Sequence, residues 1–166
     1  RSYLKAVYGE GDWILDYSNN QIYLNKTLIE DSQIPLSEFQ EKVIAFIINS
    51  GGISNAISST QMQNIIFRQG MPEKMQNSYS QKRSGDIMIS LKAGWIEDVP
   101  YSTDHNSGYK YDTNVPLIWY GWKVKKQNIF RTINITDIAP TISMVLGTPA
   151  PPATTGESLQ EVFNNR

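Results

Sequence analysis

Apolar and polar positions alternate with two different periods along this chain of 166 residues. From Tyr3 to Leu28 the pattern is strand-like, with the runs Asp12-Trp13-Ile14-Leu15-Asp16-Tyr17 and Gln21-Ile22-Tyr23-Leu24-Asn25 separated by Ser18-Asn19-Asn20. Two such runs across an Asn-rich break predict a β-hairpin. A helix follows: Phe39, Val43, Phe46 and Ile47 share one face, Ser37 and Gln40 have the spacing of a capping box, and Gly51-Gly52 end it. Ser54 to Thr60 reads as a short strand. Thr60 with Gln63 offers a second capping box, opening a short helix that carries Met62, Ile65 and Ile66. Gly70-Met71-Pro72 breaks that helix, and Pro72 fits the first turn of another running toward Tyr79.

Ile87, Ile89 and Leu91 alternate as in a strand with one buried face. A long polar connection, Glu97 to Asp112, runs into Val115-Pro116-Leu117-Ile118-Trp119-Tyr120, an uninterrupted apolar run that predicts a buried strand. Thr132 to Ile135 alternates as a shorter strand. Thr136 or Asp137 then caps a helix with Pro140 in its first turn and Ile138, Ile142, Val145 and Leu146 facing inward, ended by Gly147 and Pro149. Glu157 to Phe163 has room for a short terminal helix only. The order of elements predicts one α/β domain over 1–166, a sheet with helices packed on it.

Composition narrows the function. Fifteen basic and sixteen acidic residues leave a formal charge of −1, which gives no electrostatic footprint for nucleic acid or an anionic membrane. The cluster Lys123, Lys125, Lys126 and Arg131 has no interleaved stacking aromatics and reads as a solvated turn. With no cysteine there is neither a disulfide framework nor a thiolate metal site. The apolar runs are far shorter than the roughly 20 residues of a membrane-spanning helix. The chain opens at Arg1 without an initiator Met or signal sequence, as a processed product or a piece of something longer would.

Chemistry concentrates in the polar connection, where His105 is the one histidine of the chain. By itself a lone histidine in a Ser/Asn/Gly-rich loop reads as a surface or hydrogen-bonded side chain. A catalytic zinc needs about three protein ligands and an open position, and one histidine without cysteines does not supply them. A two-metal centre built within this chain would rest on carboxylates and so suit magnesium or calcium better. Lys82 and Arg83 read as a solvated pair that has the charge to contact a phosphate. Trp95, Trp119 and Trp122 read as packing residues. Asn25-Lys26-Thr27 and Asn134-Ile135-Thr136 match the glycosylation sequon. No Gly-rich phosphate loop, Ser-His-Asp set or Cys-His pair can be assembled.

The stretch Thr103, His105, Tyr111, Asp112, Val115-Pro116-Leu117-Ile118 and Tyr120-Gly121 resembles the last metal-ligand segment of the alkaline phosphatase superfamily, in particular bacterial zinc-dependent phosphatases related to nucleotide pyrophosphatase/phosphodiesterases. The resemblance extends through Gln21 to Asn25, Gln81 to Met88 and Gly94-Trp95 to Ile135-Thr136-Asp137-Ile138-Ala139-Pro140-Thr141 and Gly156. Asn106 stands where the family commonly has Gly after the histidine, and Asp104 where a neutral residue is common. The resemblance implies the C-terminal portion of a longer α/β enzyme, with a mixed sheet and helices packed on it. His105 would hold one of two Zn2+ ions together with an Asp and a His from the upstream part of the same polypeptide. A Thr or Ser nucleophile would also lie upstream, so this chain would hold no catalytic residue and little or no zinc alone. Thr103, Ser107 and Asp112 would orient the imidazole or brace the loop, with Asp112 read as turn-stabilising rather than as a ligand. A phosphate ester is the implied substrate, and the periplasm or exterior the implied location. The rival reading from the residues is a small non-catalytic α/β binding module in which His105 is incidental.

Overall fold

The structure, a computed structural model, describes residues 1–97, 105, 107–121 and 123–163. The chain groups into two compact units, Arg1–Val115 and Pro116–Arg166.

The first unit is built on a four-stranded sheet of β1 (Ile14–Ser18), β2 (Gln21–Leu24), β3 (Ile53–Ser58) and β4 (Ile87–Leu91). Its order is β1-β2-β4-β3, and all three pairings are antiparallel. The predicted hairpin forms, with Ser18 opposite Gln21. Asn19 and Asn20 both take positive φ, 51° and 58°, as a type I′ turn demands of its two central residues.

Around this hairpin the strand-like reading of Tyr3 to Leu28 is corrected at both ends. Ser2–Tyr8 is helix α1 and Lys26–Asp31 is helix α2. Tyr3, Leu4, Val7 and Tyr8 recur at helical spacing, and Leu4 is buried. Asn25 starts α2 by accepting the Leu28 amide at 3.2 Å.

Helix α3 (Leu36–Ile48) lies against one face of the sheet. Phe39 and Val43 reach a core that also holds Leu4, Trp13, Ile22, Leu24, Ile29, Ile87 and Ile89. Phe39 is wholly buried and clusters with the rings of Tyr8 and Trp13, which also touch each other. Phe46, expected inward, is half exposed and stacks on Tyr3. The expected Ser37/Gln40 capping box does not form, because Gln40 is fully buried and used elsewhere. Its amide donates to Ser59 Oγ at 2.8 Å and the Asp86 carbonyl at 3.1 Å, and its carbonyl accepts from Thr60 Oγ1 at 2.7 Å.

The true capping box lies two residues before the predicted one: Ser58 with Gln61 opens α4 (Ser59–Asn64). Helix α5 (Gly70–Ser78) follows, with Pro72 in its first turn. Met62 and Met75 from these helices meet Ile57 and Met88 in a second core. Ile87 and Ile89 therefore face α3 while Met88 between them is also buried, so β4 has two covered faces and not the one expected.

In the second unit, helix α7 (Ile138–Leu146) ends at Gly147 with φ 66°, a left-handed cap; α6 is the single turn Lys110–Thr113 of the first unit. Two predicted strands are absent here. The run at 115–120 makes no sheet pairing among the described residues, and Thr132 to Ile135 leads into a 3-10 turn, Ile135–Asp137. A strand needs a neighbour to satisfy its backbone, and no other strand of the described residues reaches either segment. Most of the apolar run is exposed as a result, Ile118 at 82% and Tyr120 at 98%, and so is Phe130 further along the chain, at 95%. On α7, Ile142 and Leu146, expected inward, are exposed, and Pro140 and Thr141 are the buried residues.

So much uncovered apolar surface drives association. Sedimentation of the chain at rising concentration is expected to show self-association that Tyr120→Ser with Phe130→Ser reduces. A clean monomer at every concentration would contradict this.

Candidate functional site

His105 presents its imbidazole-bearing side chain almost entirely to the outside, 92% exposed, at the end of a segment that is firmly tied down. Asp112 does the tying. Its side chain is 10% exposed, Oδ2 accepts the Ser107 amide at 2.9 Å, and Oδ1 lies 3.4 Å from His105 Nδ1. The Ser107 amide, with His105 as a lesser contributor, holds the Asp112 carboxyl below its ordinary range. The turn-stabilising role expected of Asp112 is what the geometry shows. Ser107 serves the loop through its backbone amide. Thr103, Asp104, Asn106 and Trp122 lie outside the described residues.

Three hydrogen bonds absent from the sequence reading complete the anchorage. Lys74 of α5 donates to the Gly108 carbonyl at 2.5 Å, Tyr109 Oη to the Leu91 carbonyl at the end of β4 at 3.1 Å, and the Gly94 amide to Tyr111 Oη at 3.1 Å. The rings of Tyr109 and Tyr111 stack with centroids 5.8 Å apart. A side chain at Gly108 would meet Met71 Sδ at 2.5 Å, so glycine lets this backbone lie directly on α5. Tyr109, Lys110 and Tyr111 beside a glycine were the available signal, but nothing local in sequence names Lys74 or Leu91 as their partners.

Asp86 organises the other end of the sheet. Buried at 5% exposure, it accepts the Leu24 amide at 2.9 Å and pairs with Lys26 Nζ at 2.8 Å. Beside it a polar recess of about 320 Å³ is lined by Lys26, Thr60, Gln63, Tyr79, Ser84 and Asp86. Lys82 and Arg83 stand exposed on the turn before it, where Arg83 N and Ser84 N bond the Ser80 carbonyl, as a solvated pair would. Trp119 packs edge-on to Phe163, and Trp95 covers Gly52, both as packing residues.

In the second unit the segment Asn134 to Thr141 is a backbone clamp. Asp137 accepts the Asn134 amide and the Glu157 amide, both at 2.9 Å, and these bonds hold its carboxyl below the ordinary range. Thr141 Oγ1 donates to the Asp137 carbonyl at 2.5 Å and accepts the Leu159 amide at 2.9 Å.

Among the described residues no group of three or more His, Asp or Glu side chains converges on a point where a metal could sit. In this loop the described residues offer a metal the outward imidazole of His105. That fits a ligand contributed to a site completed by other segments.

No protein-family model matches the chain. It is 28% identical over 145 residues to alkaline phosphatase PhoV of Synechococcus elongatus, covering 87% of this chain and 26% of that protein. It is 28% identical over 163 residues to alkaline phosphatase PafA of Elizabethkingia meningoseptica, covering 96% and 30%. A protein of Myroides odoratus named calcium-transporting ATPase is 29% identical over 162 residues, covering 96% and 30%. The crystal structure of wild-type PafA matches the fold with a TM-score of 0.83 at 27% identity, over 98% of this chain and 32% of that one. In sequence and in fold the chain resembles a part of these alkaline phosphatases. Its α/β fold of an antiparallel sheet with helices is the PafA fold, and it spans between a quarter and a third of the length of these superfamily relatives. Among the described residues no helix is long and apolar enough to cross a membrane.

Proposed function

We propose that this chain is the C-terminal portion of a metal-dependent phosphatase that hydrolyses phosphate esters. Two zinc ions and a Thr or Ser nucleophile from the upstream part of the polypeptide complete the site. The observation that carries the reading is the outward imidazole of His105 on a segment tied to β4 and α5, within a fold matched by PafA. Zinc bound there would stabilise the negative charge that develops on the phosphoryl oxygens. The work of this chain's own residues is positional. Lys74, Tyr109 and Tyr111 fix the path of the loop, and Asp112 closes it, so His105 is held in place before any ligand arrives. A periplasmic or secreted location belongs to the same proposal and rests on the family resemblance.

The chain alone is expected to hydrolyse p-nitrophenyl phosphate no faster than buffer, with or without added zinc, since one ligand does not make a two-metal centre. The full-length polypeptide is expected to do so in a zinc-dependent way. Turnover by the isolated chain that disappears in His105→Ala would contradict the division of the site. A full-length polypeptide inert toward phosphate esters in the presence of zinc would overturn the reading.

A further inference from the structure

None of the residues around the recess beside Asp86 enters the proposed hydrolysis, and their hydrogen-bonding state is that of an unfilled site. The charged side chains that line it, Lys26 and Asp86, are already bonded to each other at 2.8 Å. Asp86 Oδ2 takes the Leu24 amide at 2.9 Å. The recess therefore holds a closed ion pair, and no net charge calls for a counter-ion. We propose that it binds a small neutral polyol or a single sugar ring.

Three of its hydroxyls are made donors by what they already accept. Ser59 Oγ accepts the side-chain amide of Gln40 at 2.8 Å, Ser84 Oγ the backbone amide of Ser80 at 2.9 Å, and Tyr79 Oη the side-chain amide of Gln63 at 2.9 Å. An N–H only donates, so each bond occupies a lone pair and leaves the O–H proton without an acceptor among the described residues. Ser59 is 8% exposed, so a ligand that meets its proton recovers a buried hydrogen bond. Acceptors line the same recess. Thr60 spends its proton on Gln40 at 2.7 Å and Gln81 gives its NH2 to Gln63 at 3.2 Å, which leaves the lone pairs of Thr60 Oγ1 and of the Gln81 carbonyl. Donors and acceptors together match a ligand hydroxyl, which both gives and takes a hydrogen bond. An oxyanion is the poorer match, because it only accepts and would meet the carboxylate of Asp86 with Lys26 already engaged. Leu36 and the ring of Tyr79 offer apolar surface to the carbon face of a sugar. A volume of about 320 Å³ lies at the lower end of small-molecule sites, so one ring is the largest ligand that fits. The proposal stands independently of the phosphatase reading.

Glucose is the probe and inorganic phosphate the anionic comparison, both on the full-length polypeptide. Saturation-transfer NMR is expected to show saturable glucose binding. Tyr79→Phe keeps the ring and removes the donor, and is expected to weaken that binding by about three- to tenfold. Gln81→Ala, at an exposed position, removes an acceptor and is expected to weaken it to a similar degree. Crystals of the unsubstituted protein soaked in glucose are expected to show the ring within hydrogen-bond reach of Ser59, Ser84 and Tyr79, a result that needs no variant to fold. No saturable glucose binding, binding indifferent to both substitutions, or glucose bound elsewhere in the crystal overturns the proposal. Phosphate binding where glucose does not bind overturns it too, in favour of an oxyanion site. Glucose seen in the soaked crystal without saturable binding in solution is an adventitious additive only, and counts against it equally.

Discussion

Replacing His105 with alanine in the full-length polypeptide is expected to deplete bound zinc and to lower kcat/KM for phosphate ester hydrolysis by at least about a hundredfold, with folding nearly unchanged. The magnitude follows from what a metal does in phosphoryl transfer: stabilising transition-state charge is worth several kcal/mol, and each ~1.4 kcal/mol is about tenfold in rate. Folding should survive because the side chain is 92% exposed and the loop is anchored by Lys74, Tyr109, Tyr111 and the bond of Asp112 to the Ser107 amide. Asp104→Asn is the comparison. Asp104 has no counterpart in the family pattern, so its effect should be much smaller. Zinc content by elemental analysis, circular dichroism and steady-state kinetics on both variants check this together. Zinc binding retained in His105→Ala but abolished in Asp104→Asn would place the ligand at the wrong residue of the loop.

The parts of this protein that were legible in the sequence are those whose determinants are local. The hairpin at Asn19-Asn20 is one, since two residues of positive φ between apolar runs admit few other structures. The helix at Phe39 and Val43, the strand at Ile87 and the left-handed cap at Gly147 are others. Errors came where a residue with a familiar local use is claimed by a distant partner. Gln40 has the spacing of a capping residue but ties α3 to Ser59, Thr60 and Asp86. Met88 looks like the solvent side of an alternating strand until α4 and α5 bring Met62 and Met75 over it.

The run at Val115 to Tyr120 failed in the opposite sense. Its composition is that of a buried strand, but burial is conferred by neighbours, and within the described residues most of the run is left uncovered while Trp119 packs on Phe163. The site followed the same rule. The bond of Asp112 to the Ser107 amide lies within one short segment and was legible as a turn, whereas the anchorage by Lys74 and the Leu91 carbonyl joins residues 34 and 18 positions apart.

Gly156→Ala is expected to be the most damaging single substitution in the second unit, at about 3 kcal/mol. A Cβ at this position would stand 2.1 Å from the Thr136 carbonyl oxygen and 2.8 Å from the Asp137 amide nitrogen. Both are backbone atoms, and neither can swing aside as a side-chain tip would. They cannot retreat without loss, because Asp137 is held by the amides of Asn134 and Glu157, and Thr141 joins its carbonyl to the Leu159 amide. The methyl group therefore pries apart the two segments that the clamp exists to join, and the Glu157 and Leu159 amides lose their acceptors together. Gly147→Ala supplies the contrast. Nothing lies within 4 Å of its Cβ position, so its only cost is the left-handed conformation at φ 66°, about 1 kcal/mol. Hydrogen exchange read by mass spectrometry over residues 134–160 should show Gly156→Ala exchanging faster than Gly147→Ala throughout the clamp, with the core at Phe39 and Ile87 unaffected in both. Equal protection in the two variants would mean that the close approach of Gly156 to Thr136 contributes nothing, and that the clamp is held by Asp137 and Thr141 alone.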